Sequence, residues 1–255
     1  MFEKVYFKGF SVVPAYGDIF RRVRRAWLFE CAAVLALLAA VAVAGVARLR
    51  DNPFPGMQPT WSTESYVSAV SVAFGKGFHA IEPGTAPEVD AFLAGKRASL
   101  DASSIEGAVF GPVGVDEGRH VFLEYFVGMS WRLLGVGWRT LAIPMVAVYV
   151  LLALLAYVLL RQAGGVVFSL GGAAAFMFSS GVCDMMPHLR DFGRAVFIVA
   201  SMAVLIRLMV KPARVVAWLG WAALLGVIFG IGFGFREDSI VGLPLAVDRK
   251  STRLN

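Results

Sequence analysis

Five stretches of this chain are apolar and long enough to cross a bilayer, near residues 27–47, 141–160, 165–182, 195–210 and 215–235. A hydrocarbon core about 30 Å thick needs about 20 residues at 1.5 Å of helical rise each. Backbone groups in lipid find no water to bond, and a helix satisfies them all within one such segment. The sequence therefore predicts an all-α, polytopic transmembrane helix bundle. Composition agrees: 58% of the residues are hydrophobic and 16% charged, too apolar for one soluble core to explain five such helices.

The charges sit at the borders of these stretches. Lys4, Lys8, Arg21, Arg22, Arg24 and Arg25 precede the first span, and the positive-inside bias assigns such a cluster to the cytoplasm. Arg161 and the Lys211 to Arg214 turn then share that side, while residues 51–138, 184–194 and those after Phe235 face outward. Arg48, Arg50, Arg190, Arg194 and Arg236 run against this bias but are outnumbered. Orientation accounts for the net charge of +6, so no nucleic-acid partner is expected. The first span exceeds the 7–15 residues of a signal-peptide core and is taken as an anchor. The expected localisation is a bacterial plasma membrane, multi-pass, with a cytoplasmic N-terminus.

The domain reading follows: a basic amphipathic segment over 1–26, a membrane domain over 27–247, and a foreign tail over 248–255. With suitable codons the tail back-translates to a sequence resembling a widely used sequencing adapter. The expectation is that the native sequence runs on differently beyond Val247. The 255 residues are then the N-terminal part of a longer protein and inactive alone.

The outer loop, residues 51–138, carries helix signals. Ser62 can cap a helix through Tyr66, Ala69, Val70, Ala73 and Phe74 that stops at Gly75 and Gly77. Pro87 opens a second helix through Val89, Phe92 and Leu93. A third, from about Glu117 to Leu134, is rich in aromatics and suits the outer interface. In the fifth span Gly226, Gly230 and Gly234 line one face, which predicts close approach of a neighbouring helix.

Acids and guanidinium groups recur in three outward segments: Asp51 and Glu64, then His188-Leu189-Arg190-Asp191-Phe192-Gly193-Arg194, then Gly234-Phe235-Arg236-Glu237-Asp238. Carboxylates can deprotonate or orient a hydroxyl, and Arg forks match phosphate oxygens. The structural alternative is a set of helix-end charges and ion pairs where spans meet water, which cost little there.

Thr63-Glu64-Ser65-Tyr66, followed by Ala69, Ala73 and Gly75, resembles the start of the outer loop in C-type glycosyltransferases, which use polyprenyl-phosphate sugars. In the aminoarabinose and protein mannosyl transferases of that group this helix opens with two acids, of which the chain keeps the second. The family's acid is usually an aspartate, so Glu64 or Asp51 would take its place. The segments His188–Arg194 and Gly234–Asp238 are similar to the Arg-Asp and Gly-Phe-Arg-x-Asp signatures of bacterial relatives. The resemblance implies sugar transfer from a polyprenyl-phosphate donor to an acceptor on the outer face. It implies Glu64 and Asp51 as catalytic acids and Arg190, Arg194 and Arg236 as phosphate ligands. Asp191 and Asp238 would be supporting or metal-binding groups. A divalent cation is left open, and the expected partners are the lipid-linked sugar and bilayer lipid. Two other readings stand beside it: a transporter or permease, and a non-catalytic membrane scaffold whose outer loop binds a partner.

Overall fold

A computed structural model of the chain describes residues 16–57, 66–114, 118–210 and 214–236, with side chains from Ala26 onward. The basic N-terminal segment before Tyr16, the cap at Ser62, the acids Glu64 and Asp238, the Lys211 to Ala213 turn and the 248–255 tail lie outside the described residues.

The chain is an all-α membrane protein. Among the described residues four helices are long and apolar enough to cross a membrane: α1 (Tyr16–Arg50), α5 (Ala142–Arg161), α8 (Leu189–Val210) and α9 (Val215–Phe235). Between the first two lie α2 (Val67–Ala73), β1 (Ala80–Ile81), α3 (Pro87–Leu93), β2 (Phe110–Gly111) and α4 (Val121–Leu134). Between α5 and α8 lie α6 (Val166–Met177) and α7 (Ser180–Met185).

The pair α6 and α7 corrects the expectation of an unbroken span over 165–182. The apolar run breaks at Ser179, whose backbone is extended and whose hydroxyl accepts from the Val182 amide at 3.5 Å. A serine at that position starts a new helix by capping it. Hydropathy counts apolar residues and cannot see the cap. At the end of α6, the Tyr149 hydroxyl of α5 donates to the Met177 carbonyl, which helix termination leaves without a helical partner.

Two ion pairs fix the levels of these helices. Glu30 of α1 meets Arg161, at the end of α5, at 2.9 Å, and Arg48 of α1 meets Asp184 of α7 at 2.6 Å. The 18 residues from Glu30 to Arg48 span about 27 Å along a helix. That is close to the thickness of a hydrocarbon core. Together, α6 and α7 therefore carry the chain from the Arg161 level to the Arg48 level in two short pieces. The Arg48 end, which carries residues 51–138, is called the loop face below.

Packing centres on α5, which α1, α6 and α8 all touch and which buries Met145, Tyr149, Leu152 and Ala153. Helix α9 packs on α8 and on α4. Of its expected glycine face only Gly234 is in close contact, with Phe122 of α4; Gly226 and Gly230 face open space among the described residues. Near the other end, Arg207 of α8 lies 5.9 Å from the ring centre of Trp221 on α9.

The loop adds an aromatic cluster to the core, continuous with the buried side chains of α1, α5 and α8. Phe92, Trp131, Trp138 and Tyr66 are fully enclosed, with ring centres 4.9 to 6.1 Å apart in stacked, tilted and edge-on arrangements. Both indole N–H groups donate to carbonyls: Trp131 to Gly137 at 2.9 Å and Trp138 to Phe92 at 3.0 Å. Buried Trp is stable when its N–H is satisfied in this way. Helices α2 and α3 both end on a glycine of positive φ, Gly75 (72°) and Gly95 (71°). The Lys76 and Lys96 amides then close back on Ser71 and Ala91.

Helix α4 buries Leu123, Glu124, Val127, Gly128 and Trp131, while Phe122, Tyr125, Met129 and Leu133 form an exposed stripe. The expected interfacial helix is thus packed on α2 along one side and apolar along the other. The segment 101–114, in which the sequence shows little pattern, forms a 3-10 turn over Ala102–Ile105 and the short strand β2, paired antiparallel with β1.

Candidate functional site

The first turn of α8 is the centre of the loop face. Successive residues on a helix are about 100° apart, so Arg190 and Asp191 diverge, while Asp191 and Arg194, three apart, share a side. The consequence is two adjoining groups rather than one ring.

On one side, Asp191 forms an ion pair with Arg236, immediately after α9. Both side chains are about three-quarters buried. Asp191 and Arg194 also line a cavity of about 240 Å³ with Phe176, Val182 and Met185, beside the break between α6 and α7. The end of α9 is held by His120, whose Nδ1 donates to the Phe235 carbonyl at 3.1 Å. A carbonyl can only accept, so this contact fixes the proton on Nδ1.

On the other side, Arg190 and the fully buried Glu124 of α4 both act on the Tyr66 phenol. Burial pushes the Tyr66 hydroxyl well above its ordinary range, the Glu124 charge adds to that, and Arg190 opposes it. The phenol therefore keeps its proton and serves as a donor. It reaches the Gly56 carbonyl at 3.4 Å, while the Gly56 amide donates to Pro187 at 3.0 Å. In this way the segment after α1, the start of α2 and the turn before α8 are joined next to Arg190.

Of the residues picked out from sequence, the fold brings together Asp191, Arg194 and Arg236, with Arg190 on the neighbouring side of the same helical turn. Asp51 is exposed just beyond α1, and among the described residues no hydrogen bond or ion pair joins it to the others. Glu64 and Asp238 lie outside the described residues, two positions before Tyr66 and two after Arg236. Among the described residues no group of three or more His, Cys, Asp or Glu side chains could hold a metal ion.

Sequence reasoning passed over Glu124. Its signal was there: a lone acid three, four and seven residues before Val127, Gly128 and Trp131, on the stripe that α4 buries. A carboxylate on such a stripe is costly unless charge or hydrogen bonds compensate it. Comparison of the chain with protein-family models, with curated proteins and with solved structures finds no match.

Proposed function

We propose that the chain forms the membrane region of a glycosyltransferase that moves a sugar from a polyprenyl-phosphate donor to an acceptor at the outer face. The observation that carries this reading is that one helical turn at the loop face bears two adjoining charged groups, Asp191 with Arg194 and Arg236 on one side and Arg190 beside the buried Tyr66 and Glu124 on the other. A guanidinium fork on a cavity beside the broken helix, as Arg194 provides, suits a phosphate whose lipid tail stays in the bilayer.

In the proposed reaction the acceptor hydroxyl attacks the anomeric carbon and gives its proton to a carboxylate. The bond from that carbon to the phosphate oxygen breaks, and the phosphate leaves with the electron pair. Arg190, Arg194 and Arg236 would stabilise that charge, and Asp191 would hold Arg236 in place. Glu64 or Asp51 is assigned as the base, since both precede or follow helices whose ends reach the loop face. Asp238 is assigned a supporting role. Glu124 is a positioning residue here, because it is fully buried and acts on Tyr66. The basic residues ahead of the first apolar run, Lys4 to Arg25, support a reading with the N-terminus in the cytoplasm of a bacterial cell and the loop face outside.

The test is sugar transfer by the complete protein in proteoliposomes loaded with polyprenyl-phosphate sugars. Arg190→Gln and Arg236→Gln are each expected to lower kcat by about 10²–10³, the scale of one lost charge-stabilising donor. Full activity in both variants, or in both Glu64→Ala and Asp51→Ala, overturns the assignment. Orientation is read separately, with Cys31 and Cys183 replaced by Ser. An impermeant thiol reagent added outside is expected to label Asp184→Cys and to spare Arg161→Cys.

A transporter is the second reading, favoured by the broken crossing of α6 and α7 with a cavity beside it. Discontinuous helices line substrate paths in many transporters. Helix α6 has 12 residues and α7 has 6, so the break lies on the loop-face side of the midplane, which favours an interfacial site. Uptake of a solute into proteoliposomes with no covalent product would decide for transport.

A further inference from the structure

A second cavity, of about 390 Å³, opens where α1 and α5 meet at the loop face. Its volume falls within the roughly 300–1,000 Å³ of small-ligand sites. Val46, Ile143 and Val146 form apolar walls, and Arg50 and Arg139 stand on the rim. Val46 and Ile143 are more than half exposed on helices that cross the membrane, so the groove faces lipid.

The two arginines occupy equivalent levels. Arg50 is the last residue of α1, and Arg139 is the first residue of the apolar segment that contains α5. Arg48, two residues away, is neutralised by Asp184. Among the described residues neither the Arg50 nor the Arg139 side chain has an ion-pair or hydrogen-bond partner. Two guanidinium groups bordering one apolar groove favour an anion with a hydrophobic tail over either a free ion or a neutral lipid.

We infer that this groove is a binding site for an anionic glycerophospholipid of the outer leaflet. The phosphate sits between Arg50 and Arg139, and an acyl chain runs down between Val46, Ile143 and Val146. The inference does not rest on the transferase reading: none of Arg190, Asp191, Arg194 or Arg236 lines this groove.

The test is native mass spectrometry of the full purified chain titrated with phosphatidylglycerol, phosphatidylcholine and inorganic phosphate. Phosphatidylglycerol is expected to bind at least tenfold more tightly than phosphatidylcholine. Combining Arg50→Gln with Arg139→Gln is expected to weaken it roughly thirty-fold, from about a factor of five for each basic group at a membrane surface. Ile143→Trp fills the groove from its exposed side, keeps both charges and is also expected to abolish the preference. Arg214→Gln, at the opposite face, is expected to leave it intact, and circular dichroism checks the helix content of each variant. Unchanged phosphatidylglycerol binding in either groove variant overturns the site. Inorganic phosphate that competes as well as the lipid overturns the lipid assignment and leaves an anion site.

Discussion

Asp191 in the first turn of α8 and Arg236 just after α9 hold each other in an ion pair that ties the ends of two adjacent helices together at the loop face. At about three-quarters buried, the pair is shielded from water more than an ordinary surface bridge. Removing one partner leaves the other charge poorly solvated. Asp191→Asn and Arg236→Gln are each expected to lower unfolding free energy by about 1–3 kcal/mol, short of the roughly 3–5 kcal/mol of a fully buried pair. The exchanged pair, Asp191→Arg with Arg236→Asp, is expected to recover at least half of that loss. A double-mutant cycle in detergent measures it, and additive losses would mean that the pair contributes nothing.

How far the sequence could be read follows from what each signal measures. The apolar runs of α1, α5, α8 and α9 were legible because membrane thickness sets their length. Pro87 at the start of α3 and Gly75 after α2 were legible because their backbone preferences are local. Ser179 was not, since one capping hydroxyl changes hydropathy little and yet divides a span. Gly226 and Gly230 repeat the spacing of Gly234, but among the described residues only Gly234 of the three has a close neighbour, because which glycine meets a partner depends on where α4 lies. Arg190 and Asp191 read as one motif, while helix geometry sends them to different sides. Glu124 and Tyr66, 58 positions apart in the chain, become neighbours only when α4 packs on α2.

That packing has a specific close point. A Cβ at Gly128 would lie 2.7 Å from the Ala69 carbonyl oxygen and 2.8 Å from Val72, so α2 and α4 touch backbone to backbone there. Gly128→Val is expected to push the helices apart and cost about 1–3 kcal/mol, the usual range for overpacking. Gly118→Val, which meets open space, is the control. Thermal unfolding followed by tryptophan fluorescence would report the difference, because Trp131 and Trp138 sit in the same aromatic cluster. Equal midpoints for the two variants would show that the close approach is absent.

The loop also has an acid-sensitive element. The Ser103 and Ser104 hydroxyls and the Ser104 amide hold the Asp101 carboxyl below its ordinary value of 3.8, and this carboxyl caps the turn Ala102–Ile105. A depressed folded value means that the carboxylate stabilises the turn above about pH 3.8. That contribution disappears as pH falls through the lower folded value. Pepsin cleavage within residues 101–108 is therefore expected to accelerate between pH 4 and pH 2 beyond the enzyme's own pH dependence. Asp101→Ala is expected to cleave readily across that whole interval. A wild-type turn equally resistant at both ends would remove the carboxylate from this role.

The charges around Tyr66 permit a sharper test of the buried group. Glu124 raises the phenol's pKa and Arg190 lowers it, so the two charges bear on one hydroxyl from opposite directions. Removing the acid alone leaves Arg190 without that countercharge in a buried setting, and removing the arginine alone does the same to Glu124. Glu124→Gln and Arg190→Gln are each expected to destabilise the chain by about 1–3 kcal/mol, as for a buried polar group that loses its partner. The double variant is expected to cost less than the sum, with a coupling of at least about 1 kcal/mol. Chemical denaturation in mixed micelles gives all four corners of the cycle. A coupling indistinguishable from zero would mean that the two groups do not compensate each other across Tyr66, and Glu124 would lose its place as a positioning residue.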